Sequence, residues 1–207
     1  MVKFVYFDLG GVVIKDFTKT DKWSDLEREL GIPENRSEEF IKYWDLIEPD
    51  ITLGKSLNPV LNEIKTKFNV SVTDNYSLLI DGFVNRLEKN VSIWPVIDEV
   101  ARHTPIGLLT NMYPGMYQAI SDHQLLPAVE WDQIIDSTIV KMKKPEPEIY
   151  QLSQERVSAT GSEILFIDNT QKNLDTAKNF QWQTLFYDSG NLEESSIKLL
   201  SFFRSIL

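Results

Sequence analysis

Cysteine is absent from the 207 residues. That removes disulfides, thiolate nucleophiles and cysteine-based zinc sites together. Histidine is scarce: only His103 and His123 occur, they form no recognisable pair, and both read as surface or boundary residues. No apolar run reaches the roughly 18 residues that a membrane-spanning helix needs. The N-terminal apolar stretch is too short for a secretory leader, is interrupted by Asp8 and is followed by no small-residue cleavage pattern, so a cytoplasmic location is expected. Basic clusters are also missing. With 31 acidic against 21 basic residues the formal charge is -10, and the scattered lysines and arginines argue against nucleic acid and membrane partners. Whatever chemistry the chain performs must therefore use carboxylates, hydroxyls, amides or lysine.

What is present is an alternation. Short runs rich in β-branched and aromatic residues occur at 2–7, 106–111, 133–137, 163–169 and 183–188, as expected of strands covered on both faces. Helical patterns lie between and after them, at 95–102, 115–121, 146–157, 171–179 and 192–205. Strand and helix in alternation imply right-handed crossovers, and the predicted class is α/β with a doubly wound parallel sheet. Residues 16–91 break the pattern: apolar residues recur at helical spacing around Trp23–Leu30, Leu57–Phe68 and Tyr76–Leu87, with no convincing strand. The expected organisation is a core of 1–15 and 92–207 with a helical insertion of 16–91 over the carboxyl edge of the sheet, where open α/β folds bind ligands. A monomer or weak homodimer is expected.

The polar residues at the strand ends carry the chemistry. In "FDLGGVVI" a buried run stops at Asp8 and is followed by Gly10 and Gly11; "LLTN" ends in Thr110 and Asn111; "FIDN" ends in Asp168 and Asn169; Lys144 precedes Pro145 in "KKPEPEIY". Parallel strands end on one side of the sheet, so these groups should converge on one crevice. A carboxylate there can attack phosphorus and form an aspartyl phosphate. Mg²⁺ between Asp8 and the phosphate dianion would offset their repulsion. Lys144 would neutralise another phosphate oxygen, and Thr110 with nearby backbone N–H groups would hold a third. Gly10 and Gly11 would permit a tight turn whose backbone approaches the phosphoryl group.

"FDLGGVV", "LLTN", "KKPEPEIY" and "FIDNTQKNLDTA" resemble, in order, the four motifs of the haloacid dehalogenase (HAD) superfamily, and residues 16–91 resemble its helical C1 cap. The resemblance spans essentially the whole chain. It implies a Rossmann-like core and a Mg²⁺-dependent phosphatase of a small phosphorylated metabolite, with Asp8 as nucleophile, Thr110 and Asn111 as phosphate and substrate contacts, and Lys144 as the phosphate lysine. The implied metal ligands are Asp8, the Gly10 carbonyl, Asp168 and Asn169.

Two positions depart from that pattern. Where the superfamily's phosphatases usually carry a second aspartate as general acid and base, two residues after the nucleophile, this chain has Gly10. Where the fourth motif commonly ends Asp-Asp, it has Asp168-Asn169. The first change should cost the roughly 10²- to 10⁴-fold of general acid catalysis, favouring leaving groups that need little protonation. The second should weaken Mg²⁺ binding. Asp16, eight residues beyond the nucleophile, is a conceivable substitute acid. The other readings are a metal-independent 2-haloacid dehalogenase and a catalytically degenerate binding protein of the same fold.

Overall fold

The structure, a computed structural model, describes residues 1–206. The strands are β1 (Phe4–Phe7), β2 (Ile14–Lys15), β3 (Glu88–Lys89), β4 (Ile106–Thr110), β5 (Gln133–Asp136), β6 (Ile164–Asp168) and β7 (Gln183–Phe186). The α-helices are α1 (Lys22–Leu30), α2 (Ser37–Ile51), α3 (Leu57–Phe68), α4 (Trp94–Ala101), α5 (Met116–Asp122), α6 (Ser137–Val140), α7 (Pro147–Glu155), α8 (Gln171–Asn179) and α9 (Leu192–Ile206).

Five strands form one parallel sheet in the order β5-β4-β1-β6-β7. The chain builds outward from β1 on one side, then crosses back to build on the other, so β1 sits at the topological switch point with β4 and β6 as neighbours. The crevice beyond the carboxyl ends of these three strands is where such sheets take ligands. Every residue of β1, β4 and β6 is buried, which is why each reads as a continuous apolar run without alternation. The alternation appears instead in packing: Val5 and Phe7 join one core with residues of α4 and α9, while Phe4 and Tyr6 join the opposite one with Ile149, Tyr150, Leu174 and Ala177.

The helical insertion has an apolar cluster of its own, including Leu26, Phe40, Trp44, Val60, Ile64, Phe68 and Phe83, to which Tyr113 contributes from beyond β4. Two local readings need correction. The pattern at Tyr76–Leu87 predicts an α-helix, but the chain winds as a π-turn at Leu78–Phe83 and a 3₁₀ turn at Val84–Arg86. The wider winding buries Leu78 and Phe83 and leaves Leu79 and Ile80 partly exposed. Ser77 and Asp81 hold it locally: Ser77 N–H donates to the Asp81 carboxylate at 2.8 Å and Ile80 N–H to the Ser77 hydroxyl at 3.2 Å. In addition, β3 lies inside the segment read as strandless and pairs antiparallel with β2 at the root of the insertion. Its two residues are exposed and charged, so no apolar signal marks them.

Candidate active site

The ladder places Asp8 directly past β1, where its backbone N–H still donates to the Ile167 carbonyl at 2.8 Å. The following loop is closed by Ile14 N–H to Leu9 carbonyl (3.0 Å) and Gly11 N–H to Ile14 carbonyl (2.8 Å). A residue missed from sequence pins it from behind: the fully buried Asn90 donates from Nδ2 to the Val12 carbonyl (2.6 Å) and to Tyr187 Oη (2.9 Å). The Trp94 indole N–H reaches the Val13 carbonyl at 3.3 Å. Nothing in the local sequence around Asn90 announces this contact, because its partners lie 78 and 97 residues away.

Three of the expected residues meet at bonding distance. Lys144 Nζ lies 2.8 Å from Asp8 Oδ1 and 2.7 Å from Asp168 Oδ2. Asp8 Oδ1 also accepts the Leu9 N–H at 2.7 Å, while no hydrogen bond reaches Asp8 Oδ2 among the described residues. Asp168, fully buried, accepts the Thr170 N–H on Oδ1 (2.7 Å) and Asn173 Nδ2 on Oδ2 (3.0 Å). Asp168 thus holds the turn that leads into α8, through the N–H of its N-cap residue Thr170, and also anchors the lysine.

Asn111, expected as a substrate contact, also has a structural task. Although it borders the cleft, its amide clamps the Lys144 backbone, Nδ2 donating to the carbonyl (2.9 Å) and Oδ1 accepting the N–H (2.8 Å). It therefore fixes the loop carrying the lysine. Thr110 is buried at the cleft edge, and its hydroxyl makes only a long 3.4 Å contact with the Asn111 carbonyl. That leaves it available to a ligand.

The electrostatics follow from the count of charges. Two buried carboxylates share one buried ammonium, an excess of one negative charge. Burial, the largest effect, pushes the Asp8 carboxyl up, Lys144 pulls it down, Asp168 pushes it up and the Leu9 N–H pulls it down, and the balance lies at about 7. Burial pulls the Lys144 ammonium down, but Asp168 and Asp8 outweigh it and hold its pKa above the ordinary lysine value. Both shifts favour one more proton on the cluster. The site is therefore poised to receive positive charge.

Gly10 and Gly11 have packing reasons that sequence reasoning did not supply. Gly11 is left-handed at φ 74°, and a Cβ on it would lie 2.0 Å from Asn169 Nδ2. A Cβ on Gly10 would lie 2.8 Å from Asp16 Oδ2. The absent side chains admit Asn169 over one glycine and the Asp16 carboxylate over the other. Above them opens a cleft of about 1040 Å³ bordered by Gly10, Asp16, Thr110 and Lys144 below and by Trp23, Trp44 and Phe83 of the insertion above. Asp8 lies next to this lining, beside Leu9, Gly10 and Lys144, which border the cleft, and 12% of its side chain is exposed.

Among the described residues no group of three or more His, Cys, Asp or Glu side chains is placed to hold a metal ion. The donors that remain are hard oxygens: Asp8 Oδ2, the Gly10 carbonyl and the Asn169 amide oxygen, which takes only a 3.3 Å contact from the Thr170 hydroxyl. Asp168, expected among the ligands, already has both oxygens engaged. Such a set fits a Mg²⁺ ion that keeps several waters, and does not fit a softer metal.

The model of the haloacid dehalogenase-like hydrolase family matches residues 2–181. Among curated proteins, acyl-CoA dehydrogenase family member 10 of Mus musculus is 27% identical over 125 residues, which is 59% of this chain and 11% of that much longer protein. Among solved structures, a HAD family enzyme from Bacteroides thetaiotaomicron, in complex with magnesium and inorganic phosphate, superposes with a TM-score of 0.76 at 20% identity, covering 92% of this chain and 96% of that one. A predicted HAD-like hydrolase from Porphyromonas gingivalis gives 0.70 at 22% identity, covering 97% and 98%. The L-2-haloacid dehalogenase from Xanthobacter autotrophicus gives 0.62 at 20%, covering 89% and 76%. Fold, strand order and family match agree: this chain belongs to the haloacid dehalogenase-like hydrolases.

Proposed function

We propose that the protein is a phosphatase acting on a small phosphorylated metabolite through an aspartyl phosphate on Asp8. The observation that carries this reading is the asymmetry of the Asp8 carboxylate: Oδ1 is held by Leu9 N–H and Lys144, while Oδ2 takes no hydrogen bond among the described residues, on a side chain flanked by the cleft-lining Leu9, Gly10 and Lys144. Fixing one oxygen orients the lone pairs of the other, which removes rotational freedom from the attacking group. Attack of Oδ2 on phosphorus forms the acyl phosphate and breaks the bond to the leaving oxygen; water then attacks phosphorus, releasing phosphate and restoring Asp8.

Lys144 has three N–H donors, two of them spent on Asp8 and Asp168, so the third is available to a phosphoryl oxygen. The Thr110 hydroxyl serves a second. Asn111 and Asp168 position the lysine. Asp8, the Gly10 carbonyl and Asn169 would hold Mg²⁺ weakly, with Asp168 behind them; when bound, the ion supplies charge neutralisation for the phosphate dianion. The neighbour holding magnesium and inorganic phosphate supports this reading by likeness of fold.

The second reading, dehalogenation of a 2-haloacid, is supported by the likeness to the Xanthobacter enzyme. It needs a cation from the insertion to cradle departing halide, and among the described residues no lysine or arginine of the insertion borders the cleft. The deciding experiment assays the purified chain with p-nitrophenyl phosphate, a panel of metabolite phosphates and 2-chloropropionate, with and without Mg²⁺. Phosphate release that requires Mg²⁺ and disappears in Asp8→Asn is expected. Metal-independent chloride release would favour the second reading, and inactivity on every substrate would point to a binding protein.

A further inference from the structure

Gly10 stands where a proton donor to the leaving group is usual in this family's phosphatases, and the resulting gap is not empty. A Cβ at position 10 would meet Asp16 Oδ2 at 2.8 Å, Asp16 Cγ at 3.5 Å and Asp16 Cβ at 3.6 Å. An aspartate at 10 would hold its own carboxylate oxygens only slightly closer to that Cβ. The Asp16 carboxylate therefore enters, from the far side of the loop, the region a residue-10 carboxylate would have started from.

We propose that Asp16 is the general acid and base of this site, supplying from the root of the insertion the carboxylate that position 10 lacks. The proposal rests on the phosphatase reading above. Three further observations support it. Asp16 borders the cleft together with Gly10, Thr110 and Lys144. Its position is fixed, because it directly follows β2, which is paired to β3, and precedes Phe17, whose ring packs on Trp23 at 5.1 Å and on Phe83 at 5.5 Å between centroids. Its two oxygens are also differently employed. Oδ1 accepts the Thr18 N–H at 2.8 Å, while no hydrogen bond reaches Oδ2, the oxygen nearest Gly10, among the described residues.

A turn-capping role alone would need only Oδ1. In the reaction, Asp16 would give its proton to the leaving oxygen as the bond to phosphorus breaks and the Asp8 acyl phosphate forms. It would then take a proton from the water that attacks phosphorus, so that Asp16 and Asp8 both return to their starting states. The same geometry revises the expectation that only activated leaving groups are accepted. Alkyl phosphates should be substrates too.

The test is a leaving-group series, from p-nitrophenyl phosphate to simple alkyl phosphates, on the wild-type chain, Asp8→Asn, Asp16→Asn and Asp16→Ala/Gly10→Asp. Asp16→Asn keeps an oxygen to accept the Thr18 N–H and removes only the transferable proton. It should lower kcat/KM for alkyl phosphates by about 10²- to 10⁴-fold while costing p-nitrophenyl phosphate less than about tenfold. With p-nitrophenyl phosphate it should also release an initial burst of p-nitrophenol and accumulate a phosphate adduct on Asp8, detectable by intact mass. The double variant, in which removal of the Asp16 side chain makes room at residue 10, should recover much of the alkyl phosphate activity.

Equal loss across the series with no adduct would overturn the proposal, since a structural role predicts that outcome. An unchanged leaving-group dependence accompanied by a higher Mg²⁺ requirement would overturn it in favour of simple charge compensation for Asn169. In both cases an inactive Asp8→Asn leaves the phosphatase reading standing. A wild-type chain that hydrolyses no phosphate ester overturns both.

Discussion

The rim of the sheet and the inner surface of the helical insertion face each other across one cleft, yet they are built on opposite principles. At the rim, charge is buried and held by named partners: Lys144 between Asp8 and Asp168, Asp168 under Thr170 and Asn173, Asn111 clamped to the Lys144 backbone. The insertion offers rings instead, with Trp23, Trp44, Phe83 and Tyr113 packed at centroid distances of 5.0 to 6.1 Å. Buried hydrogen-bonded charge tolerates little substitution, because an orphaned ion cannot regain its hydration. An aromatic surface can be re-cut one ring at a time, at the cost of stability but not of chemistry. A fold so divided can keep one reaction while its cleft wall changes.

Lys144 breaks this comparison most severely. In Lys144→Met the methionine fills much of the volume but leaves Asp8 and Asp168 as two unpaired buried carboxylates. We expect a loss of about 3–5 kcal/mol in unfolding free energy, read by urea titration, together with loss of phosphate release. If stability were retained at neutral pH, water or protonation must be relieving the two acids, and the rim would be less closed than its contacts indicate.

Asp8→Asn should act in the opposite direction on stability while abolishing turnover. Asp8 carries a pKa raised to about 7, mainly by burial, so between the unfolded carboxylate value near ~4 and about 7 the folded chain binds more protons than the unfolded one. Wild-type stability therefore falls as pH rises through that window. The amide cannot ionise and escapes the fall. In Mg²⁺-free buffer Asp8→Asn should be more stable than wild type by about 2 kcal/mol at pH 8, with the gap closing as pH is lowered toward 4. A gap that does not depend on pH would show that the acid is not under electrostatic stress.

The two regions also differ in how far they could be read from sequence. Asp8, Thr110 and Asp168 were legible because parallel strands end on one edge, so a polar residue closing a buried run has only one place to go; Lys144, in the loop between α6 and α7, closes no strand and was legible only through its "KKPEPEIY" motif. What each neighbour does was not. Asn111 borders the cleft but spends its amide on the Lys144 backbone, a pairing set by the path of the loop before Pro145. Asn90 is as buried as any core residue, yet its partners come from Val12 and Tyr187. Gly10 looked like a lost acid with Asp16 as a conceivable substitute, and only three dimensions show that carboxylate over the same spot. In the insertion, periodicity located α1 and α3 but misjudged Tyr76–Leu87, because a π-turn rotates the buried face away from the one that 3.6-residue spacing selects.

The mildest perturbation tests the seam between the two regions. Tyr113, just beyond β4, belongs to the insertion's apolar cluster, and its hydroxyl donates to Glu48 Oε1 of α2 at 2.6 Å. Burial, with Glu48 beside it, holds the phenol well above its ordinary pKa, so it remains a donor throughout the working range and the bond should be insensitive to pH. Tyr113→Phe keeps the ring against Phe83 and Trp44 and deletes only this link. Because Glu48 is partly exposed and can turn to water, the expected cost is about 1 kcal/mol, or a Tm lower by roughly 2–4 °C for a chain of this size. The chemistry at Asp8 is untouched, so KM should rise a few-fold with kcat nearly unchanged, as when binding shared by ground and transition states is lost. A fall in kcat at constant KM would instead mean that the contact helps to set the geometry at phosphorus, and the division between a chemical rim and a selective wall would fail at the residue that joins them.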